Sequence, residues 1–354
     1  MTTNSCEPPY IPQFAYYSPV QDMSLSSALY AVALTILSNL FISLPVPEPN
    51  DALQKQVFVV TGANTGLGLE TSRHLLRLGV GKLIMAVRNQ AKGEEAKREL
   101  LNSTGREAKS TEIWPLDMDS YDSVKTFANR VSRLPRLDGV LANAGMATRK
   151  YSLSEGNERV LNVNVISTFL LCLLLLPKMR ESGQQTGHPS RFVVPNSITH
   201  YFAPFEELRD EDGIISRLND PEKANMGGRY PVSRLLVVFV VRELAGRCQA
   251  SPIINTPNPG YCLSQLMSEN AGLVKSVADK VLARSTEMGS RALYHGLISG
   301  AESHGQYLTN CQVQSPAGHV TSDEGQRVQK AFFEELLEKL EKIHPGISRN
   351  VGTA

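Results

Sequence analysis

The chain has 354 residues, 42% hydrophobic and 20% charged, which excludes a disordered or low-complexity protein and fits one large α/β domain with extensions. Lys+Arg 36 against Asp+Glu 35 leaves a net charge of +1, so no overall field recruits nucleic acid or an anionic membrane. Five cysteines (Cys6, Cys172, Cys248, Cys262 and Cys311) are odd in number and form no Cys-x-x-Cys pair, which argues against a disulfide framework or a zinc site and for an intracellular, reducing setting.

Residues 1–24, rich in Pro, Tyr and Ser, read as an irregular arm. Leu25–Leu44 then carries no charged residue, and Leu25, Leu29, Val32, Ala33, Ile36, Leu37, Leu40, Phe41 and Leu44 recur at helical spacing. Twenty such residues suffice for a membrane-spanning helix of ~30 Å, yet Ser26, Ser27, Thr35, Ser38, Asn39 and Ser43 make the same helix amphipathic. Membrane association through 25–44 and packing on the protein itself both account for the stripe. The run starts late and lacks a basic leader, unlike a cleaved signal peptide. Pro45, Pro47 and Pro49 end it as a stiff spacer.

From Gln56 onward short apolar runs alternate with helical patterns. Strands are expected at 56–61, 82–87, 111–116, 137–142, 191–195, 253–257 and 306–310. Helices are expected between them at 67–79, 93–102, 120–133, 157–180, 230–248 and 287–299. This order predicts an α/β fold with a doubly wound parallel sheet, whose ligand lies across the carboxyl ends of the strands. Helix 157–180, with Phe169 to Leu176 unbroken in apolar character, reads as core or subunit contact. Helix 230–248 is equally apolar on all sides, and two such helices exceed what one sheet face covers, which predicts a homodimer. The stretch Phe332–Ile343, with Glu and Lys at i,i+4 spacing, reads as a solvated helix.

The first strand runs straight into Thr61-Gly62-Ala63-Asn64-Thr65-Gly66-Leu67-Gly68 and then into a helical pattern. Glycines at this spacing let the backbone approach a dinucleotide pyrophosphate, and the free N–H groups of the helix start point at it. The second strand ends at Arg88 with no Asp or Glu beside it. An acidic residue there suits the ribose 2′-hydroxyl of NAD, whereas an arginine pairs with the 2′-phosphate of NADP.

Asp117, Asn143-Ala144-Gly145, Asn164, Ser197, Tyr230-Pro-Val-Ser-Arg234 and Asn258-Pro259-Gly260 follow at successive strand ends. In this order they resemble the short-chain dehydrogenase/reductase family over about residues 55–320. Arg88-Asn-Gln-Ala-Lys-Gly93, Tyr230-Pro-Val-Ser-Arg-Leu-Leu, Arg242-Glu-Leu-Ala245 and Asn258-Pro-Gly-Tyr-Cys262 are similar to fungal reductases of the retinol-dehydrogenase-like type. The resemblance implies a single Rossmann-fold catalytic domain over 55–320, with an N-terminal arm 1–54 and a C-terminal helix and tail 321–354. It also implies NADP(H) as cofactor and carbonyl–alcohol interconversion on a lipophilic small molecule of fungal secondary metabolism.

Residue by residue, the resemblance assigns Gly62, Asn64, Gly66, Leu67 and Gly68 to the phosphate turn and Asp117 to the adenine. Asn143, Gly145, Pro259 and Gly260 would line the cofactor cleft, and Ser264 would meet the carboxamide. Ser197 would polarise the substrate carbonyl, Tyr230 would be the general acid/base, and Asn164 would hold a water in the proton relay. A phenol with a pKa of ~10 needs a nearby cation to work at neutral pH. The family places a lysine four residues after the tyrosine, and this chain has Arg234. A guanidinium keeps the charge and the donors but is bulkier and loses no proton. The outcome is either a reductase with a shifted pH optimum or a pocket turned to non-redox chemistry or a scaffold role. Between Ser197 and Tyr230 an insertion holds His200, Tyr201, Phe202 and Phe205. It is expected to lie over the pocket and favour an apolar substrate, with His200 as its most suspect residue.

Overall fold

A parallel strand buried on both faces needs a crossover long enough to carry the chain back, and a helix supplies it. In the computed structural model, which describes residues 33, 35–48, 51–209, 213–248, 251–262 and 282–352, that demand is met repeatedly. Strands β1 (Val57–Thr61), β2 (Lys82–Val87), β3 (Thr111–Pro115) and β4 (Gly139–Leu141) are linked by helices α1 (Gly66–Arg77), α2 (Gln90–Thr104) and α3 (Tyr121–Val131). A small hairpin, β5 (Leu153–Ser154) and β6 (Asn157–Glu158), leads into α4 (Arg159–Thr186). Then come β7 (Arg191–Val193), α5 (Ile214–Asn219), α6 (Arg229–Cys248), β8 (Ile253–Asn258), α7 (Thr286–Ile298), β9 (Tyr307–Thr309), β10 (Gln312–Gln314) and α8 (Asp323–Ile343). From 56 onward every expected strand and helix forms, most within a few residues of its predicted bounds; helix 157–180 runs on to Thr186, and the β5–β6 hairpin, β10 and the short helices of the insertion are additions.

The strands stand in the order β10-β9-β8-β7-β4-β1-β2-β3, parallel except for the β9–β10 pair. The order reverses between β1 and β4, so their carboxyl ends open a crevice. All five β1 residues are buried, because helices cover both faces. One apolar layer gathers Phe169, Leu173, Val237, Phe239 and Phe332 with their neighbours, and the other gathers Leu75, Leu76, Leu100, Leu293 and Leu297.

One expectation is corrected here, and the apolar surplus behind another is accounted for within the chain. The 332–343 stretch is not solvated all round: Phe332, Phe333, Leu336 and Leu340 are at most 1% exposed. Its Glu/Lys pairs occupy one face only, and the opposite stripe packs on α6, where the Arg247 guanidinium lies 4.4 Å from the Phe333 ring centre. The chain therefore covers α6 from within, and the surplus apolar surface that predicted a homodimer is used internally.

Among the described residues, α4 is the one helix long and apolar enough to cross a membrane, and 89% of that apolar window is buried in the protein, as a core helix requires. Of the run 25–44, residues 25–32 and 34 lie outside the described residues, as do the arm 1–24 and Ser264. The described part is helical over 35–41 and rests on the domain. Asn39 Nδ2 donates to the carbonyls of Tyr261 and Leu282, each at 3.0 Å, and Leu44 is 1% exposed. Leu37, Leu40 and Phe41 face outward and are exposed.

Candidate functional site

The turn after β1 is held by backbone. Gly62 and Gly66 have φ of +62° and +57°, a left-handed conformation that a Cβ penalises. Gly62 N–H donates to the Ala86 carbonyl at 2.8 Å. A Cβ on Gly68 would sit 2.5 Å from Asn143 Nδ2 and 2.6 Å from the Gly62 carbonyl oxygen, so only glycine fits. Asn143 Nδ2 donates to the Thr61 and Gly62 carbonyls at 3.1 and 3.3 Å, and Ala144 N–H donates to Thr61 Oγ1 at 2.8 Å. The end of β4 is thereby bolted to the turn. Thr65, the N-cap of α1, makes no side-chain capping bond among the described residues, which leaves the first-turn N–H groups open to an anion.

Arg88 ends β2 with its side chain 66% exposed and Nη1 3.5 Å from Asp119 Oδ2. Asp119 is gripped more firmly by Arg159, the first residue of α4, whose Nε and Nη2 donate at 2.8 and 2.7 Å. That hydrogen-bonded guanidinium holds the Asp119 carboxyl below its usual range. Asp117 N–H donates to Ser123 Oγ at 2.9 Å, and its Oδ1 accepts from Asp119 N–H at 3.0 Å.

On the far side of the crevice, Ser197 follows β7. Its Oγ accepts from Thr199 N–H at 3.2 Å, which leaves the hydroxyl proton free to donate elsewhere. Tyr230 and Arg234 stand one turn apart near the start of α6, where side chains four residues apart share a face. The Arg234 guanidinium carbon is 4.8 Å from the Tyr230 ring centre, and Nη1 donates to the Pro195 carbonyl at 3.0 Å. Arg234 is buried, and its Nε has no hydrogen-bond partner among the described residues. Gly145 makes room for this arrangement: a Cβ there would meet Arg234 Nη2 at 3.0 Å and Asn164 Oδ1 at 3.1 Å.

Asn164 sits in a π-helical turn, Asn162–Ile166, inside α4. Its Oδ1 accepts from Met146 N–H at 2.9 Å, while Nδ2 donates to the Met146 carbonyl at 2.9 Å and to Ser233 Oγ at 3.1 Å. The side chain thus anchors the segment after β4 from behind the cleft wall.

The resulting cleft has a volume of about 1060 Å³. The turn contributes Gly62, Asn64, Gly66 and Leu67, and the strand ends contribute Arg88, Asp117, Asn143 and Gly145. Ser197, Tyr230, Arg234, Pro259 and Gly260 close the other half. Gly68 and Asn164 stand behind the lining and act through packing and hydrogen bonds. Asp119, Arg159, Met146, Tyr261 and Cys262 also line the cleft and were not expected. Asp119, two residues past Asp117 at the same strand end, carried a usable signal; Arg159 carried none, being one charged residue at a helix start.

His200 is a packing residue. It is wholly buried, its Nδ1 lies 2.8 Å from the Ser197 carbonyl, and Ala317 N–H donates to Nε2 at 3.2 Å. The rings of Tyr201 and Tyr307 flank it at 4.3 and 4.7 Å, and burial pushes its pKa down to about 3. The neutral ring, Nδ1–H donating and Nε2 accepting, links the Ser197 turn to the C-terminal segment. Next to Tyr230, Arg229 is buried between two buried carboxylates, with Nε 3.3 Å from Glu158 and Nη1 3.9 Å from Glu207.

The family profile described as "short chain dehydrogenase" matches residues 56–188. A short chain dehydrogenase/reductase of Cryptosporiopsis sp. is 42% identical over 322 residues, 89% of this chain and 99% of that protein. A short-chain dehydrogenase of Penicillium roqueforti is 36% identical over 342 residues, 93% of this chain and 88% of its own. In fold, the chain matches a short chain dehydrogenase from Escherichia coli CFT073 complexed with NADPH, with a TM-score of 0.54 at 23% identity over 74% of this chain and 99% of that one. It also matches an uncharacterized protein from Mycobacterium paratuberculosis, with a TM-score of 0.60 at 23% identity over 84% and 98% of the two chains.

Proposed function

Because the chain belongs to the short-chain dehydrogenase/reductase family, whose members are oxidoreductases binding NAD(P)(H), we propose that it is an NADP(H)-dependent reductase. It interconverts a carbonyl and an alcohol on a lipophilic small molecule of fungal secondary metabolism. The observation that carries this reading is the cleft itself, where an open helix start, Arg88, Ser197 and Tyr230 share one cavity. Its about 1060 Å³ lies at the top of the roughly 300–1,000 Å³ range of small-molecule and cofactor sites.

The residues present fit a dinucleotide. The uncapped N–H groups of α1 and the glycine turn suit its pyrophosphate, Arg88 suits a 2′-phosphate, and the buried, unpartnered Nε of Arg234 suits a ribose hydroxyl. A nicotinamide held there supplies or accepts the hydride. Ser197 donates its free hydroxyl proton to the substrate oxygen and stabilises charge developing on it. Tyr230 gives the proton to that oxygen, or takes it in the reverse direction. Arg234 lies over the Tyr230 ring and keeps a fixed positive charge beside the proton donor, while Asn164 fixes Met146 and Ser233 behind it. Tyr261, 36% exposed, lines the cleft and offers apolar surface for a lipophilic substrate.

One observation favours a second reading. The Arg234 guanidinium is held by the Pro195 carbonyl and loses no proton, so a cofactor-binding protein without redox turnover, or a non-redox enzyme, is the rival. NADPH oxidation by the wild type and by Arg234→Lys, across a panel of apolar ketones and aldehydes, separates the two. Turnover that persists in the wild type and shifts its pH optimum in the lysine variant supports the reductase. A wild type that binds NADPH and oxidises none of it overturns that reading.

A further inference from the structure

The adenosine side of the cleft carries more charge than the 2′-phosphate contact alone needs. Arg88, Asp117, Asp119 and Arg159 all line it, two cations against two carboxylates. Their contacts are unequal. Arg159 holds Asp119 with two donors at 2.8 and 2.7 Å, the forked geometry that suits a carboxylate best. Arg88 reaches the same carboxylate with one donor at 3.5 Å, and its side chain is 66% exposed. Asp117 is turned onto the Asp119 backbone N–H at 3.0 Å. Glu70, the further acid of the lining, is paired with Arg73 at 3.1 Å.

Remove the Arg159 charge and the set inverts. Two carboxylates then face Arg88 alone, the local balance becomes negative, and the nearer one, already 3.5 Å away, closes on the Arg88 guanidinium. A 2′-phosphate would have to break that new pair and enter a negative field.

We propose that Arg159 is a positioning residue for cofactor choice: by occupying Asp119 it holds Arg88 free for a 2′-phosphate. The inference rests on the NADP(H) reading and extends it to a residue two crossovers along the chain from Arg88. Asp119 becomes the element that discriminates, since it decides whether the Arg88 charge is available.

The test is calorimetric binding of adenosine 2′,5′-bisphosphate and of ADP to the wild type, Arg159→Leu, Arg159→Lys, Asp119→Asn and the Arg159→Leu/Asp119→Asn double variant. The wild type is expected to prefer the bisphosphate. Arg159→Leu should lose about tenfold of that preference with ADP binding nearly unchanged, about 1.4 kcal/mol of differential binding. Arg159→Lys should keep part of it, and the double variant should regain most of it, because the carboxylate within reach of Arg88 is gone. A purely structural role would weaken both nucleotides together and would not be rescued by the second substitution. A wild-type preference that survives Arg159→Leu, or a double variant as poor as Arg159→Leu, overturns this inference alone. A wild type with no preference overturns the NADP(H) reading itself.

Discussion

Around Gly62–Gly68 the cleft wall is a main-chain turn pinned by the neutral Asn143 amide and Thr61 hydroxyl at 2.8–3.3 Å, with no room for a Cβ at Gly68. Around Tyr230 the wall is side chain: a buried Arg229 between Glu158 and Glu207, Arg234 on the tyrosine ring, and His200 behind Ser197. The first half is held by uncharged contacts between the turn and the end of β4, with its helix-start N–H groups left open. The second is rigid only while each buried charge keeps a partner contributed from far along the chain. The two halves should therefore fail differently when disturbed.

The largest effect is expected at the second half. Arg229→Met leaves two buried carboxylates without their cation and should cost about 3–5 kcal/mol in urea unfolding. A loss under about 1 kcal/mol would break the contrast, since the tyrosine side would then not depend on its charges. Gly68→Ala should cost less in stability, about 1–3 kcal/mol, yet remove dinucleotide binding in a fluorescence titration with NADPH. Its added methyl meets the Gly62 carbonyl and the Asn143 amide that shape the turn; unchanged binding would show that the turn yields.

Acid should weaken the second half through its buried histidines. Burial depresses His200 to about 3 and His319 to about 4, whereas histidines of the unfolded chain titrate near 6.5. As pH falls below that value the unfolded chain takes up protons that the folded chain refuses. The stability these groups contribute is therefore complete above pH 6.5 and declines below it, by about 1.4 kcal/mol per pH unit for each. Unfolding free energies between pH 6.5 and 5 should show this slope, and His200→Gln should reduce it by one proton's share. An unaltered slope would mean that His200 is protonated in place. The smallest effect is expected at the surface, where Glu324 pairs with a half-exposed Arg209 at 2.6 Å. Glu324→Gln should change stability by less than about 1 kcal/mol in the same unfolding series.

How much of this was legible beforehand follows the same division. Strands, crossover helices and the glycine turn repeat on a scale of a few residues, so their patterns appear directly in the residue order. The residues at the strand ends followed from that order, since a doubly wound sheet gathers its carboxyl ends at one edge. The Glu/Lys face of 332–343 misled because surface spacing shows which face is wet and not what the dry face meets. The all-round apolar α6 misled for the matching reason, because its cover lies some ninety residues downstream in Phe332, Phe333 and Leu336.

From its residue order alone the chain determined a parallel α/β sheet, a glycine turn at Gly62–Gly68 between strand and helix, and the set Ser197, Tyr230 and Arg234 at strand and helix ends. Tertiary structure alone decided that Asn164 works from behind the wall, that His200 is neutral and packed, and that Arg159 grips Asp119 more closely than Arg88 does. The physical reason is range. Propensity, periodicity and glycine conformation act between neighbours in sequence, whereas the state of a charge is set by whatever carboxylate, carbonyl or apolar ring the fold brings within about 4 Å of it.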